Sequence, residues 1–336
     1  MNDPGEFLTL GIETSCDETA VALLRGEMEV LANLVYSQAE VHARYGGVVP
    51  EVASRDHLAK LPILVRQALS ETKHGPKDLS LVAATYGPGL VGPLLVGLSH
   101  GKGLAYGLDV PFVGVNHLEG HIFADRLTET PCEPPFMALI VSGGHTSLIE
   151  VKAYGDYRTV GATVDDAAGE ALDKIGKMIG IGYPAGAEID RLACEGDPTA
   201  IRFPRPMATS AGFDFSFAGL KTAVLYHLKK HPRERPQDIA ASVLASVVEI
   251  LTKKSIEATR RYQMDRLVVG GGVAANTHLR ESLTKHGEER GIAVSFPPMM
   301  FCTDNAAMIA AAGAYRHLRL GESHPLSLAP DPSLSL

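Results

Sequence analysis

The chain has 336 residues, 34 of them glycine, with four cysteines, no tryptophan and a formal net charge of −8. Its length exceeds what one hydrophobic core usually holds, so two domains of about 150 residues each are expected. With 45% hydrophobic and 21% charged residues, disorder of the whole chain is excluded. Cys16, Cys132, Cys194 and Cys302 form no CxxC pair, which excludes a disulfide scaffold and points to a reducing, cytoplasmic setting.

The first eight residues carry acids and no basic segment, so no signal peptide is expected. The apolar run at 8–12 reads as a strand, followed by a polar turn at 13–19 and a second strand at 20–24. A strand at 81–85 ends at Gly87, and the glycine-rich, helix-forming segment 92–105 follows. A further strand at 111–115 leads to Asn116, which can cap a helix beginning at His117. The Pro- and Thr-rich stretch 127–135 reads as a linker. Residues 136–141, 142–146 and 147–151 then repeat the pattern of strand, polar turn, strand. An amphipathic helix is expected over 166–179, then a glycine turn at 180–186 with Asp190 beyond it. The strand at 267–269 ends in Gly270-Gly271-Gly272, another strand is expected at 292–296, and a helix runs from Asp304 to Tyr315. The tail 323–336, rich in Pro and Ser, is expected to be loosely held. No apolar stretch approaches the roughly 20 residues of a membrane span. Domains are therefore expected at 1–128 plus about 305–330, and at 129–304.

Glycine makes up about one residue in ten, against a usual 7% or so. Its clusters end β-rich runs, as in α/β folds that bind phosphate groups at turns and helix N-termini. For any single cluster the reading as turns and caps is favoured; for several clusters, each ending a strand, a shared ligand is the better reading. Several standard motifs fail. Gly97-x-x-x-Gly101-Lys102-Gly103 is one residue short of a P-loop and lacks its Ser or Thr. Gly270-x-Gly272-x-x-Ala275 has no ribose-binding acid after the next strand, so NAD is disfavoured. Ser142 lacks the preceding glycine of a nucleophile elbow.

His117 and His121 lie four apart, hence on one helix face, and can point at one metal ion. Two unrelated histidines explain the same spacing. Leu118 follows the first His and Gly120 precedes the second, so neither HExxH nor HxxEH is present and Glu119 is misplaced for a metalloprotease base. Asp304 is a candidate third ligand or a helix N-cap. Two His and one carboxylate suit Fe(II) or zinc. Cys302 reads as a buried thiol or a soft ligand. The basic runs at 229–233, 253–254 and 260–261 read as solvated faces or phosphate contacts.

Seven segments stand in an order that resembles one family: Gly11-Ile-Glu-Thr-Ser-Cys-Asp-Glu-Thr19, His117-Leu-Glu-Gly-His121, Val141-Ser-Gly-Gly-His-Thr146, Asp165-Asp-Ala-Ala-Gly-Glu-Ala-Leu-Asp-Lys174, Phe213-Asp-Phe-Ser-Phe-Ala-Gly-Leu-Lys221, Gly271-Gly-Val-Ala-Ala-Asn276 and Cys302-Thr-Asp-Asn305. Over nearly the whole chain they resemble the bacterial TsaD (Gcp/YgjD) family. The resemblance implies an α/β, two-lobed ASKHA fold of the actin, Hsp70 and sugar-kinase type, with duplicated subdomains. It implies transfer of a threonylcarbamoyl group from threonylcarbamoyl-AMP to N6 of adenosine 37 in tRNAs reading codons that begin with A, with release of AMP. It makes His117, His121 and Asp304 the ligands of one Fe(2+) or Zn2+ ion per subunit. Ile140, Val141, Ser142, Gly143 and Gly144 would contact the donor, and Asp173, Gly186, Asp190 and Asn276 would hold its nucleoside part. Glu13 or His145, each in a polar turn, would relay a proton. A TsaB-like paralogue and a TsaE-like small ATPase are the implied partners, with no membrane involved. Where the family commonly reads YPGGP, this chain has Tyr183-Pro184-Ala185-Gly186-Ala187, which touches local loop shape only. An O-sialoglycoprotein endopeptidase and an ASKHA ATPase or kinase are the competing activities.

Overall fold

A computed structural model describes residues 7–336. The chain divides into two units, Met1–Pro131 with Asp304–Leu336, and Cys132–Thr303. Asp304, expected at the end of the second lobe, therefore belongs to the unit that holds His117 and His121.

The first unit is built from β1 (Leu8–Glu13), β2 (Glu18–Arg25), β3 (Glu29–Ser37), α1 (Ala39–Ala43), α2 (Pro50–Glu71), β4 (Leu81–Gly87), α3 (Val91–Leu108), β5 (Phe112–Asn116) and α4 (His117–Phe123), and is joined by the last helix of the chain. The sheet order is β3-β2-β1-β4-β5. β1 pairs antiparallel with β2 and parallel with β4. All six residues of β1 are buried, as expected of a central strand covered on both faces. Its apolar side chains Leu8, Leu10 and Ile12 join Leu61, Val65 and Leu69 of α2 and Leu98 of α3 in one core.

The second unit contains β6 (Phe136–Val141), β7 (Thr146–Ala153), β8 (Asp156–Ala162), α5 (Ala168–Met178), α6 (Gly186–Ala193), α7 (Ala218–Lys230), α8 (Pro236–Arg261), β9 (Arg266–Gly270), α9 (Thr277–Glu288) and β10 (Ala293–Ser295). Its order, β10-β9-β6-β7-β8, read from the other edge, is again third, second, first, fourth, fifth. β6 pairs antiparallel with β7 and parallel with β9. The repeat of strand, polar turn and strand is thus a pair of hairpins that seed two sheets of the same topology. The final helix, α10 (Ala306–Leu320), returns to the first unit.

α10 is alanine-rich because it lies close to the first sheet. A Cβ on Gly11 would collide with the Ala306 carbonyl oxygen and stand 2.9 Å from Ala310 Cβ. Only glycine in β1 permits this approach. The tail after α10 has no helix or strand, yet it differs from the loose segment expected. His324 N–H donates to Phe112 O at 2.7 Å, Asp331 N–H to Tyr86 O at 2.8 Å, and Asn116 Nδ2 to Ser335 O at 3.2 Å. Proline and serine kept it from forming regular structure, and the exposed backbone found partners along β4 and β5 instead.

Candidate active site

β5 ends at Asn116, whose side-chain oxygen accepts from Leu118 N (2.8 Å) and Glu119 N (3.4 Å) and starts α4. This cap fixes the first turn of a helix of seven residues, all buried. His117 and His121 lie one turn apart with ring centroids 4.7 Å from each other. Asp304 Oδ1 lies 3.5 Å from His117 Nε2 and 3.2 Å from His121 Nε2. One ligand atom from each of the three residues fits within 4.8 Å of the others. Asp304 does not cap α10. That role falls to Asn305, whose side-chain oxygen accepts from Met308 N at 3.0 Å, which leaves the Asp304 carboxylate beside the histidines.

The surroundings suit a cation. Both ring nitrogens of His121 are buried without a hydrogen bond of good geometry, an expensive arrangement unless something else satisfies them. Burial pushes the Glu18 carboxyl well above its ordinary range, with Asp17 and Asp304 adding to it. Burial and the same two carboxylates push the Cys16 thiol up as well, so Cys16 is not a poised nucleophile. Two imidazoles and a carboxylate form a donor set for zinc or Fe(II).

Glu13, the last residue of β1, is fully buried. Its Oε1 accepts from Ser15 N (2.5 Å), and its Oε2 accepts from Thr85 Oγ1 (2.6 Å) and faces His117 Nδ1 at 3.0 Å. Ser15 Oγ is also 3.2 Å from that nitrogen. With both oxygens engaged, Glu13 holds His117 by Nδ1 and turns Nε2 toward His121 and Asp304. Both Glu13 oxygens are therefore occupied within the protein, in the kind of contact that commonly orients a histidine. Burial pushes the Glu13 carboxyl up, but the neighbouring His117 outweighs it and holds the group below its usual range. Burial likewise opposes the charge on His117, and Asp304 and Glu13 overcome it, raising its pKa to about 9. His121 goes the other way: burial lowers its pKa. Ser15 and Thr85 carried no signal in the sequence. Glu13 did, as the acid that opens the polar turn after the first strand run.

Glu119 is occupied elsewhere. Both its oxygens lie 2.9 Å from Arg316 Nη1 of α10, and Arg316 also pairs with Glu322 at 2.7 Å. It is an internal ion pair and not a general base.

In the second unit, β6 brings Ile140 and Val141 to its buried end, and the turn beyond presents Gly143 and Gly144 to solvent. Ser142 and His145 close this turn: Ser142 N donates to His145 O (2.8 Å), and His145 N donates to Ser142 Oγ (3.1 Å). The N-terminus of α5 abuts it, with Gly169 N donating to Ser142 O at 3.2 Å. Gly271, at φ +95°, sits so close to Val141 O that a side chain would collide. Gly169 and Gly271 are thus needed for packing the strand-end turns together, whereas a Cβ on Gly143 or Gly144 would meet nothing within 4 Å. Farther along α5, Asp173 Oδ1 accepts from Ala185 N at 2.7 Å and so secures the loop before Gly186, where α6 starts. On α6, Asp190 Oδ1 accepts from Asn276 Nδ2 (2.8 Å) and meets His278 Nδ1 (2.7 Å). Asn276 meanwhile caps α9. Asp173, Gly186, Asp190 and Asn276 therefore belong to one linked set of loops, adjoining the turn 142–145 through α5.

The duplicated sheets define a protein of the ASKHA class of two-lobed folds. One solved structure of that kind is component A of the (R)-2-hydroxyglutaryl-CoA dehydratase of Acidaminococcus fermentans, with a TM-score of 0.57 at 17% identity over 92% of this chain and 98% of that one. Within the class, residues 29–311 match the model of the family described as "TsaD: tRNA N6-adenosine threonylcarbamoyltransferase", and the chain belongs to the TsaD family. It is 53% identical to the tRNA N6-adenosine threonylcarbamoyltransferase of Geobacter sp. (strain M21) over 318 residues, covering 94% of this chain and 92% of that protein. It is 48% identical to the enzyme of the same name from Clostridioides difficile (strain 630), covering 98% and 99% respectively. Among the described residues no helix is long and apolar enough to cross a membrane.

Proposed function

We propose that this chain transfers the threonylcarbamoyl group from threonylcarbamoyl-AMP to N6 of adenosine 37 in tRNAs reading codons that begin with A. The observation that carries this reading is membership of the TsaD family along nearly the full chain. In the reaction N6 bonds to the carbonyl carbon of the mixed anhydride. The bond from that carbon to the phosphate oxygen breaks, AMP leaves with the electron pair, and N6 loses a proton. The carbonyl is already electrophilic, but an exocyclic adenine amine is a poor nucleophile, so alignment and charge stabilisation are the main demands.

His117, His121 and Asp304 would hold one Fe(II) or zinc ion. When bound, that ion supplies Lewis acidity toward threonylcarbamoyl oxygens. Glu13 orients His117. Asp173, Gly186, Asp190 and Asn276 would engage the nucleoside of the donor, and the 140–144 segment, through the exposed backbone of Gly143 and Gly144, would meet its acyl phosphate. His145, half-buried in that turn, is the residue we assign to proton transfer from N6, since Glu13 has no free oxygen. A TsaB-like paralogue and a TsaE-like ATPase would assist. The exposed Val91 and Leu95 of α3 are the face we assign to the paralogue. The ion pair of Glu119 with Arg316 disfavours an endopeptidase. Likewise, a pair of histidines disfavours a magnesium kinase site.

The deciding experiment combines the protein, its partners, threonylcarbamoyl-AMP and an A37 tRNA, and examines the nucleosides by mass spectrometry. Threonylcarbamoyladenosine is the expected product. Its absence from a folded, metal-loaded mixture overturns the proposal.

A further inference from the structure

An open cavity of about 550 Å3 lies in the second unit, lined by Lys174, Lys177 and Met178 of α5 and by Lys221, Thr222 and Leu225 of α7. Three lysines in one hollow repel each other unless something offsets them. Asp166 pairs with Lys174 (3.0 Å) and with Lys221, and Glu170 pairs with Lys174 (2.7 Å). Two carboxylates thus serve two lysines. Among the described residues, Lys177 has no carboxylate partner. The same is true of Lys229 and Lys230, farther along α7. Tyr226, 59% exposed, follows the cavity residue Leu225 on α7, with the Lys229 ammonium 5.9 Å from its ring centre.

This basic face belongs to a chain of net charge −8, so it is a local feature and not a consequence of composition. Lysines on long flexible stems suit phosphate oxygens as point charges, without demanding one geometry. Lys221 and Lys229 are eight residues apart on one helix, about 12 Å along its axis. A nucleic-acid strand advances only about 3.4 Å per nucleotide, so this row can meet more than one phosphate. Exposed Tyr226, Leu225 and Met178 add apolar surface for an unstacked base or a ribose face. An acidic peptide would be served by the charges alone and leaves the exposed aromatic ring unused.

We propose that the lysine-lined cavity between α5 and α7, with Lys229 and Lys230, docks the phosphate backbone of the RNA substrate. The proposal rests on the tRNA-modifying activity assigned above. Its test compares wild-type protein with the double variant Lys177→Ala/Lys229→Ala, with Lys77→Ala, exposed in the first unit, as control. Binding of an A37 tRNA is measured by anisotropy over a series of KCl concentrations. About tenfold weaker binding is expected, with the slope of log K against log salt shallower by about 1.5. The KM for tRNA should rise while kcat at saturating tRNA stays near that of the wild type. Lys177→Gln/Lys229→Gln should behave alike, which separates charge from folding. Unchanged affinity and slope in the double variants of an active protein overturn the docking surface alone. Loss of affinity for a protein partner with tRNA binding intact overturns it in favour of a protein interface. A wild type that neither binds nor modifies tRNA overturns the assigned activity as well.

Discussion

Replacing Glu13 by Gln removes one charge and almost no volume, and it tests the role of the buried carboxylate directly. If the amide nitrogen takes the Oε2 position, it donates to His117 Nδ1, where an oxygen stood 3.0 Å away. The imidazole must then carry its proton on Nε2, the nitrogen that faces His121 and Asp304, and that nitrogen loses the lone pair a metal needs. If the amide is flipped, its NH2 meets Ser15 N–H across a contact of 2.5 Å, donor against donor. That orientation leaves a buried donor unpaired at about 1–3 kcal/mol. Either way the metal pays the difference. Losing an orienting partner typically weakens metal binding about 10–100-fold, or about 1.4–2.7 kcal/mol. The assay is a competition titration of the purified variant with zinc or Fe(II) against a chromophoric chelator, with circular dichroism to confirm folding. A folded Glu13→Gln protein that binds metal within twofold of the wild type would refute the orienting role.

Other expectations follow from the same contacts. Metal affinity should rise about tenfold per pH unit up to about pH 9 and level off above it, because binding must displace the His117 proton; a titration at fixed ionic strength checks this. The sign for the metal-free protein is opposite. With a folded pKa raised above the ordinary imidazole value of about 6.5, His117 contributes stability fully below about pH 6.5 and loses it as pH climbs through about 9, so the melting-temperature gap between metal-loaded and metal-free protein should widen over that window. His121→Ala or Asp304→Ala should abolish transfer and lower metal content measured by mass spectrometry; full activity of a metal-free double variant would refute the assignment. Arg316→Ala should destabilise the first unit by about 3 kcal/mol or more in urea unfolding, since it strands Glu119, 1% exposed, without its partner. Gly11→Val should cost at least about 1–3 kcal/mol by pushing α10 from the sheet, with metal content falling in parallel.

The parts legible in the sequence were those set by local pattern. Apolar runs broken by polar turns gave both hairpins, and the four-residue step of His117 and His121 gave one helix face. The order of strands in each sheet needed long-range pairing that no single run displays. Asp304 and Asn305 show the limit well. Both are good N-caps, and only the fold assigned the cap to Asn305 and left Asp304 to the histidines. Thr85 and Ser15 look like ordinary residues of a strand and a turn until Glu13 is placed between them. Arg316, far from Glu119 in the chain, gave no hint that it would claim that acid. The tail misled because a segment unable to form helix or sheet can still be tied down by its backbone.

The two hairpins have a consequence of their own. They are the same structural part used twice, and their connecting turns have taken opposite electrical characters. The turn after β1 is bounded by Glu13 and carries Asp17, with Glu18 at its far end, whereas the turn after β6 has no acid between Val141 and Thr146 and offers bare backbone amides. The first turn concentrates acidic side chains, and the second leaves the backbone of Gly143 and Gly144 without an acid beside it in the turn. A duplicated scaffold can thus carry two electrostatic characters at one structural position, set by acidic side chains in the first copy and by bare backbone in the second.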